Sequence, residues 1–181
     1  MSQEIVQQVT SLLQDFDARV QATSADSWSN QSPCAEWKAR DVVVHVGNNL
    51  LRMTGALSGT EPKSIAADDS IVDAWDNALS EFTATIATAD LSADVPGPFG
   101  PMPAAQVLGR FVSTDVLVHT WDLARSVGGN ETINADAVAA AYSGLKPMDA
   151  MIRQPGVFGA KLDEPSDDLQ TEFLRFLGRE V

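Results

Sequence analysis

Thr114-Asp115-Val116-Leu117-Val118-His119-Thr120-Trp121-Asp122-Leu123-Ala124-Arg125 reads as the middle of a long helix. Asp115 and His119 are four residues apart, so on that helix both side chains point the same way. A carboxylate and an imidazole so placed suit two ligands of one metal ion. The chain has one other histidine, His45, in the stretch Trp37-Lys38-Ala39-Arg40-Asp41-Val42-Val43-Val44-His45, which also reads as helix. Catalytic zinc commonly takes three protein ligands and leaves a fourth position to water or substrate. His45, Asp115 and His119 make such a set. Spacing alone is a weak warrant, because Asp and His one turn apart are also an ordinary helix pair.

The periodicity around this stretch predicts a helix over about 104–127, opened by Pro103 and stopped by Gly128-Gly129. A second helix runs over about 38–57, with Val42, Val43, Val46, Leu50 and Met53 on its apolar face. His45 is about seven residues from the start of one helix and His119 about eight from the end of the other. If the two are antiparallel, both lie ~11 Å from the same end of a bundle; if parallel, they are offset by ~12 Å. A shared metal therefore predicts an antiparallel pair.

Two further long helices are expected. The first, over about 3–22, carries Ile5, Val9, Leu12, Leu13, Phe16 and Val20. Another covers about 70–89, with Ile71, Trp75, Leu79, Phe82 and Ile86, Ser70 as N-cap and Asp73 as its partner. The connection from Gly59 to Asp69 is longer than a tight helix–helix turn needs, which allows a crossover. Leu91 to Pro103 holds four prolines and two glycines, so a helix is excluded there; a short two-stranded excursion turning at Phe99-Gly100 is the alternative. Beyond the fourth long helix come a fifth over about 135–152, capped by Asn134 and kinked or ended at Pro147, a turn-rich stretch around Gly156-Val157-Phe158-Gly159, and a short amphipathic helix over 166–177. Mid-helix Gly47 and Gly55 mark close backbone packing.

A chain of 181 residues with 44% apolar and 20% charged residues is expected to form one domain, residues 1–181, with a real core. A formal charge of −13 argues against a nucleic-acid partner and against anionic membrane surfaces. With no signal-peptide pattern and no bilayer-length apolar run, the expected location is cytoplasmic. A single cysteine, Cys34, excludes an internal disulfide framework. Cys34 reads either as a thiolate ligand or as a small buried residue. Asp41 can pair with His45 or steady its imidazole. Asp122 can steady an imidazole too, or pair with Arg40 or Arg125. Asn48 and Asn49 line a pocket or face solvent. Trp37, Trp75 and Trp121 are core candidates.

Two motifs, in order, carry a family resemblance. Pro33-Cys34-Ala35-Glu36-Trp37-Lys38-Ala39-Arg40-Asp41 through His45, and Asp115 through Arg125 with its Trp121-Asp122-Leu123-Ala124, resemble the metal-binding domain family of mycothiol-dependent maleylpyruvate isomerase. The segment Pro98-Phe99-Gly100-Pro101-Met102-Pro103 and the run Leu177-Gly178-Arg179 are similar to its single-domain members. The resemblance implies an all-α fold, a DinB-like four-helix bundle of up-down-down-up order with a long crossover between helices two and three and extra C-terminal helices. It implies a divalent metal, zinc first and nickel second, held by His45, Asp115 and His119. A member of known activity carries Glu at the position matching Asp115. The implied chemistry is that of a metal-dependent enzyme using a low-molecular-weight thiol of the mycothiol type, for isomerisation of a small electrophile or S-transfer to it. Members with isomerase activity carry a further C-terminal domain, which a chain of this length is expected to lack. A non-catalytic metal-binding, sensor or partner-binding module is the alternative, and pairing through an exposed helix face into a homodimer stays open.

Overall fold

The structure is a computed structural model that describes residues 2–153, 158–162 and 166–181. Helix α1 spans Ser2–Ala22, α2 Ala39–Ser58 and α3 Ile71–Ile86. The fourth long helix, α4, is assembled from Ala104–Gln106, a π-helical turn over Val107–Val112, and Ser113–Val127. Between α3 and α4 a hairpin pairs β1, Asp94–Gly97, with β2, Gly100–Pro103.

Side-chain contacts fix the direction of each helix. His45 meets Asp115 and Asn49 meets the same carboxylate from one turn further on, while the His45 and His119 rings lie 4.8 Å apart. Positions rise along α2 as they fall along α4, so the pair is antiparallel, as a shared ligand set requires. A Cβ at Gly109 of α4 would touch Ile5, and Arg19 reaches the carbonyls of Asn130 and Thr132 just past α4, so α1 and α4 run parallel. Arg40 bonds the carbonyl of Asp69 before α3 begins, and Gly47 faces Ala78, so α2 and α3 run parallel. The order is up-down-down-up, and parallel neighbours joined in sequence need the long crossover between Ser58 and Ile71. That crossover lies against α2: a Cβ on Gly55 would stand 2.8 Å from the Thr60 carbonyl oxygen, and Ile65 N–H donates to Asn48 Oδ1 at 2.8 Å.

The core is built from the apolar stripes of these helices. Phe16 and Trp75 pack at 4.8 Å between centroids, and Trp121, Phe82 and Leu108 are fully buried. Trp75 Nε1–H donates to Asp17 Oδ1 at 2.9 Å, which lets an indole lie in the core with its polar atom satisfied. Helices α5, Ala135–Leu145, α6, Asp149–Ile152, and α7, Leu169–Phe176, follow α4. Tyr142 of α5 donates to Glu172 of α7 at 2.8 Å, and Gln170 ties α7 to the Glu131–Ile133 segment. No described helix is long and apolar enough to cross a membrane.

Several local expectations change. The hairpin turns at Pro98-Phe99, one residue earlier than Phe99-Gly100, because Gly97 pairs with Gly100. Ser70 occupies the N-cap of α3 without a side-chain bond, so neither it nor Asp73 caps the helix, whereas Asn134 does accept from Ala137 N–H. The fifth helix stops at Leu145, and a 3₁₀ turn carrying Pro147 separates it from α6, since proline cannot supply the N–H that would continue the ladder. α7 starts at Leu169, under an Asp168 cap, three residues later than read. Phe158-Gly159 is described, but Gly156-Val157 of the expected turn lies outside the described residues.

Candidate metal centre

The turn Cys34-Ala35-Glu36-Trp37 precedes α2 and closes through Trp37 N–H to the Cys34 carbonyl at 3.1 Å. Glu36 sits there with φ 65°, a left-handed conformation that costs a non-glycine residue about 1 kcal/mol or more. The strained turn sends Cys34 towards α4 and lays Trp37 over two imidazoles. The Trp37 ring is 4.8 Å from His45 and 5.8 Å from His119 between centroids.

His45, Asp115 and His119 come together as the spacing required, their ligand atoms all within 4.8 Å of one another. Asp115 Oδ1 lies 3.1 Å from His45 Nε2 and 3.5 Å from His119 Nε2. A tetrahedral site with bonds of about 2.0–2.1 Å has ligands about 3.3–3.4 Å apart, and these separations bracket that edge. Aspartate, one methylene shorter than glutamate, thus stands about one such edge from each imidazole. His45 and Asp115 keep 32% and 27% of their side-chain surface, whereas His119 keeps 9%, so the site opens to solvent at His45 and Asp115.

Asn49, a residue that sequence reading left between pocket and solvent, belongs to this cluster. Its Oδ1 accepts from Arg52 at 2.7 Å, which turns Nδ2 towards the site, 2.9 Å from Asp115 Oδ2 and 3.0 Å from His45 Nε2. With Asp115 ionised, no single tautomer of His45 satisfies both neighbours of Nε2. If Nε2 carries a proton it suits Asp115 and opposes the Asn49 amide; if it carries a lone pair it suits Asn49 and opposes the carboxylate. A cation shared by the lone pairs of His45, Asp115 and His119 would take the place of the protons between them and leave Asn49 Nδ2–H on Asp115 Oδ2. The donor set, two imidazoles and a carboxylate, is one that zinc accepts.

Behind His119 the arrangement is closed. Nδ1–H donates to Asp122 Oδ2 at 2.9 Å, which leaves Nε2 directed at Asp115. Asp122 is fully buried and takes a two-pronged ion pair from Arg179, Nε to Oδ1 and Nη2 to Oδ2, both at 2.9 Å. Cys34 Sγ lies 3.4 Å from Asp122 Oδ2 and 3.4 Å from Arg179 Nη2. A second donor group of Cys34, His119 and Asp122 thus exists, but Arg179 already supplies its positive charge. Cys34 faces the rear of His119, away from Asp115.

Asp41 is not at the centre: its carboxylate caps α2 by accepting from Lys38 N–H at 2.8 Å. Of the alternatives for Asp122, contact with an imidazole holds and the arginine pairs do not. Arg40 spends its donors on the Ala66, Ala67 and Asp69 carbonyls, and Arg125 pairs with Glu131. Trp121 and Trp75 are core; Trp37 is the site's wall.

Electrostatics follow the same division. Burial works against ionising Asp115, but the charge and hydrogen bond of His119, and contact with His45, outweigh it and hold the carboxyl well below its usual range. Burial likewise works against charging His119, yet Asp115 in front and the hydrogen bond to Asp122 behind raise it well above an ordinary histidine. Asp122 is held at about 2 by hydrogen bonds from His119 and Arg179, again against the burial penalty. A position that favours a proton on a buried imidazole attracts positive charge, and a divalent ion competes for it.

Residues 9–124 match the mycothiol maleylpyruvate isomerase N-terminal domain family. The chain belongs to that family. It is 31% identical over 147 residues, 78% of either chain, to an uncharacterized protein of Mycobacterium tuberculosis strain CDC 1551 / Oshkosh, and equally to one of strain ATCC 25618 / H37Rv. Its fold matches the crystal structure of the mycothiol-dependent maleylpyruvate isomerase with a TM-score of 0.63 at 15% identity, over 85% of this chain and 70% of that one. A histidine-to-alanine mutant of that isomerase gives 0.60 at 13% identity over the same shares. The DinB-like helical fold expected from the motifs is the fold found.

Proposed function

We propose that this protein is a divalent-metal-dependent enzyme that uses a low-molecular-weight thiol, of the mycothiol type, to isomerise a small electrophile or to transfer sulfur to it. His45 Nε2, the Asp115 carboxylate and His119 Nε2 hold the ion, zinc in preference to nickel. The observation that supports this most is the convergence of His45, Asp115 and His119, whose ligand atoms all lie within 4.8 Å of one another. When bound, such an ion lowers the pKa of a coordinating thiol enough to make it a thiolate nucleophile at neutral pH. The chain's residues do the rest. Asn49 orients Asp115. Trp37 covers both imidazoles on one side and keeps water from that face. The partial exposure of His45 and Asp115 leaves an approach for the thiol and the electrophile.

Protein purified without a metal-affinity tag should carry about one divalent ion per chain by elemental analysis. His119→Ala should lose it, and retention of the ion in that variant sinks the ligand set. Incubation with a low-molecular-weight thiol and a panel of small electrophiles should give turnover that chelation abolishes and zinc restores. Stoichiometric metal without turnover across a broad panel would instead mark a non-catalytic metal-binding module.

A further inference from the structure

Arg179 is 57 residues from Asp122 in sequence, yet it makes a two-pronged contact on a carboxylate with no solvent exposure. Its approach is built into the end of α7. Gly178 N–H bonds the Arg175 carbonyl at 2.9 Å and Arg179 N–H bonds the Leu174 carbonyl at 2.9 Å, the paired bonds of a Schellman motif. That motif needs a left-handed residue, and Gly178 has φ 84°. A Cβ there would stand 2.8 Å from the Ala160 carbonyl oxygen, so the position excludes larger residues on two counts. The turn throws the Arg179 side chain back under α4.

We propose that Arg179 is a positioning residue of the metal centre: by gripping both oxygens of Asp122 it fixes the acceptor of His119 Nδ1–H and so aims His119 Nε2 at the space shared with His45 and Asp115. Three distances carry this, the two 2.9 Å prongs of Arg179 and the 2.9 Å bond from His119 to Asp122. Without the grip, the Asp122 carboxylate is free to rotate about its Cβ–Cγ bond, and Nδ1–H loses a fixed partner. Partners behind a metal-bound histidine are worth about 10–100-fold in metal affinity when removed. The segment following α7 is thus part of the site, although it lies beyond the residues that match the family.

The inference rests on the metal reading for its consequence, and two measurements separate the two. In protein stripped of metal, ¹H–¹⁵N spectra of the imidazoles should show a slowly exchanging Nδ1–H for His119, and Arg179→Gln should broaden or remove it. Cobalt(II) titration followed by absorption should show binding by the native chain, weakened about 10–100-fold in Arg179→Gln. Arg179→Lys keeps the charge and loses the fork, so it should fall between. A native chain that ignores cobalt overturns the metal reading while leaving the Nδ1–H test standing. Arg179→Gln that keeps both the slow proton and native cobalt affinity overturns the role of Arg179. If Arg179→Gln fails to give a native circular dichroism spectrum, Arg179→Lys carries the same two readouts, and unchanged values in it overturn the proposal.

Discussion

The two sides of His119 solve opposite problems with the same residue type. In front, Asp115 keeps 27% of its side-chain surface and meets two imidazoles and an amide. Behind, Asp122 keeps none of its surface, and every oxygen contact is a donor: His119 Nδ1, both prongs of Arg179 and the Cys34 thiol. The rear holds a fixed cation of its own in Arg179; the front balances its carboxylate against imidazole protons that a divalent ion can replace. The difference teaches that the carboxylate to look for at a binding site is the one paired through exchangeable imidazole protons, not the most buried one.

The strongest way to break that contrast is to truncate each aspartate in metal-free protein. Asp122→Ala leaves Arg179 buried and unpaired and strips His119 of its acceptor. Breaking a buried pair from one side costs about 3–5 kcal/mol. Asp115→Ala should cost less, because water can replace the carboxylate at a partly exposed position and His119 keeps Asp122 as a partner. Chemical denaturation of the two variants measures the gap, and equal losses would abolish the distinction. In the metal-loaded protein the order should narrow, since Asp115 then contributes through the ion.

Acid sharpens the same comparison with a smaller effect. Asp122 titrates at about 2 in the fold, against about 3.9 for a free aspartate. A depressed carboxyl contributes stability that is fully present above the unfolded value and is lost as the pH falls through the folded one. The rear pair should therefore hold down to about pH 4 and give up about 2–3 kcal/mol between there and about pH 2. Bound metal should leave earlier, because protons compete for His119, whose charged form is favoured, at higher pH than for Asp122. Metal release monitored by a chromophoric chelator, alongside circular dichroism, should show two separate acid transitions in that order. A single coincident transition would mean that front and rear behave as one unit.

How much of this could be read beforehand depends on how local the cause is. The bundle was legible because its apolar stripes repeat at helical spacing, and because a crossover as long as Gly59 to Asp69 has few other uses. The front cluster was legible because the chain has only two histidines, a carboxylate stands one turn from His119, and two motifs carried the family resemblance. The rear was half legible. Asp122 is close enough to His119 to be suspected, but its true partner Arg179 depends on a glycine turn at the end of α7 that no periodicity announces. Asn49 was left between pocket and solvent for a different reason. An amide one turn past a histidine looks like any surface amide until Arg52 fixes which end faces inward. The π-helical turn over Val107–Val112 left no trace in the pattern at all, since one extra residue per turn hardly disturbs an apolar run.

Cys34 gives the smallest effect and the finest test. Its sulfur touches Asp122 and Arg179 at 3.4 Å each, distances at which a thiol is a weak partner. If the rear is complete through its nitrogen and oxygen contacts, Cys34→Ser should change stability by less than about 1 kcal/mol. It should also leave the metal stoichiometry at one, because Sγ lies on the far side of His119 from the Asp115 carboxylate. Paired denaturation and elemental analysis check both. A serine variant that loses its metal would place the sulfur among the ligands. The ion would then sit behind His119, on Cys34 and Asp122, with Arg179 displaced. That outcome would exchange the roles of the two faces, with the open side reduced to an approach and the closed side carrying the chemistry.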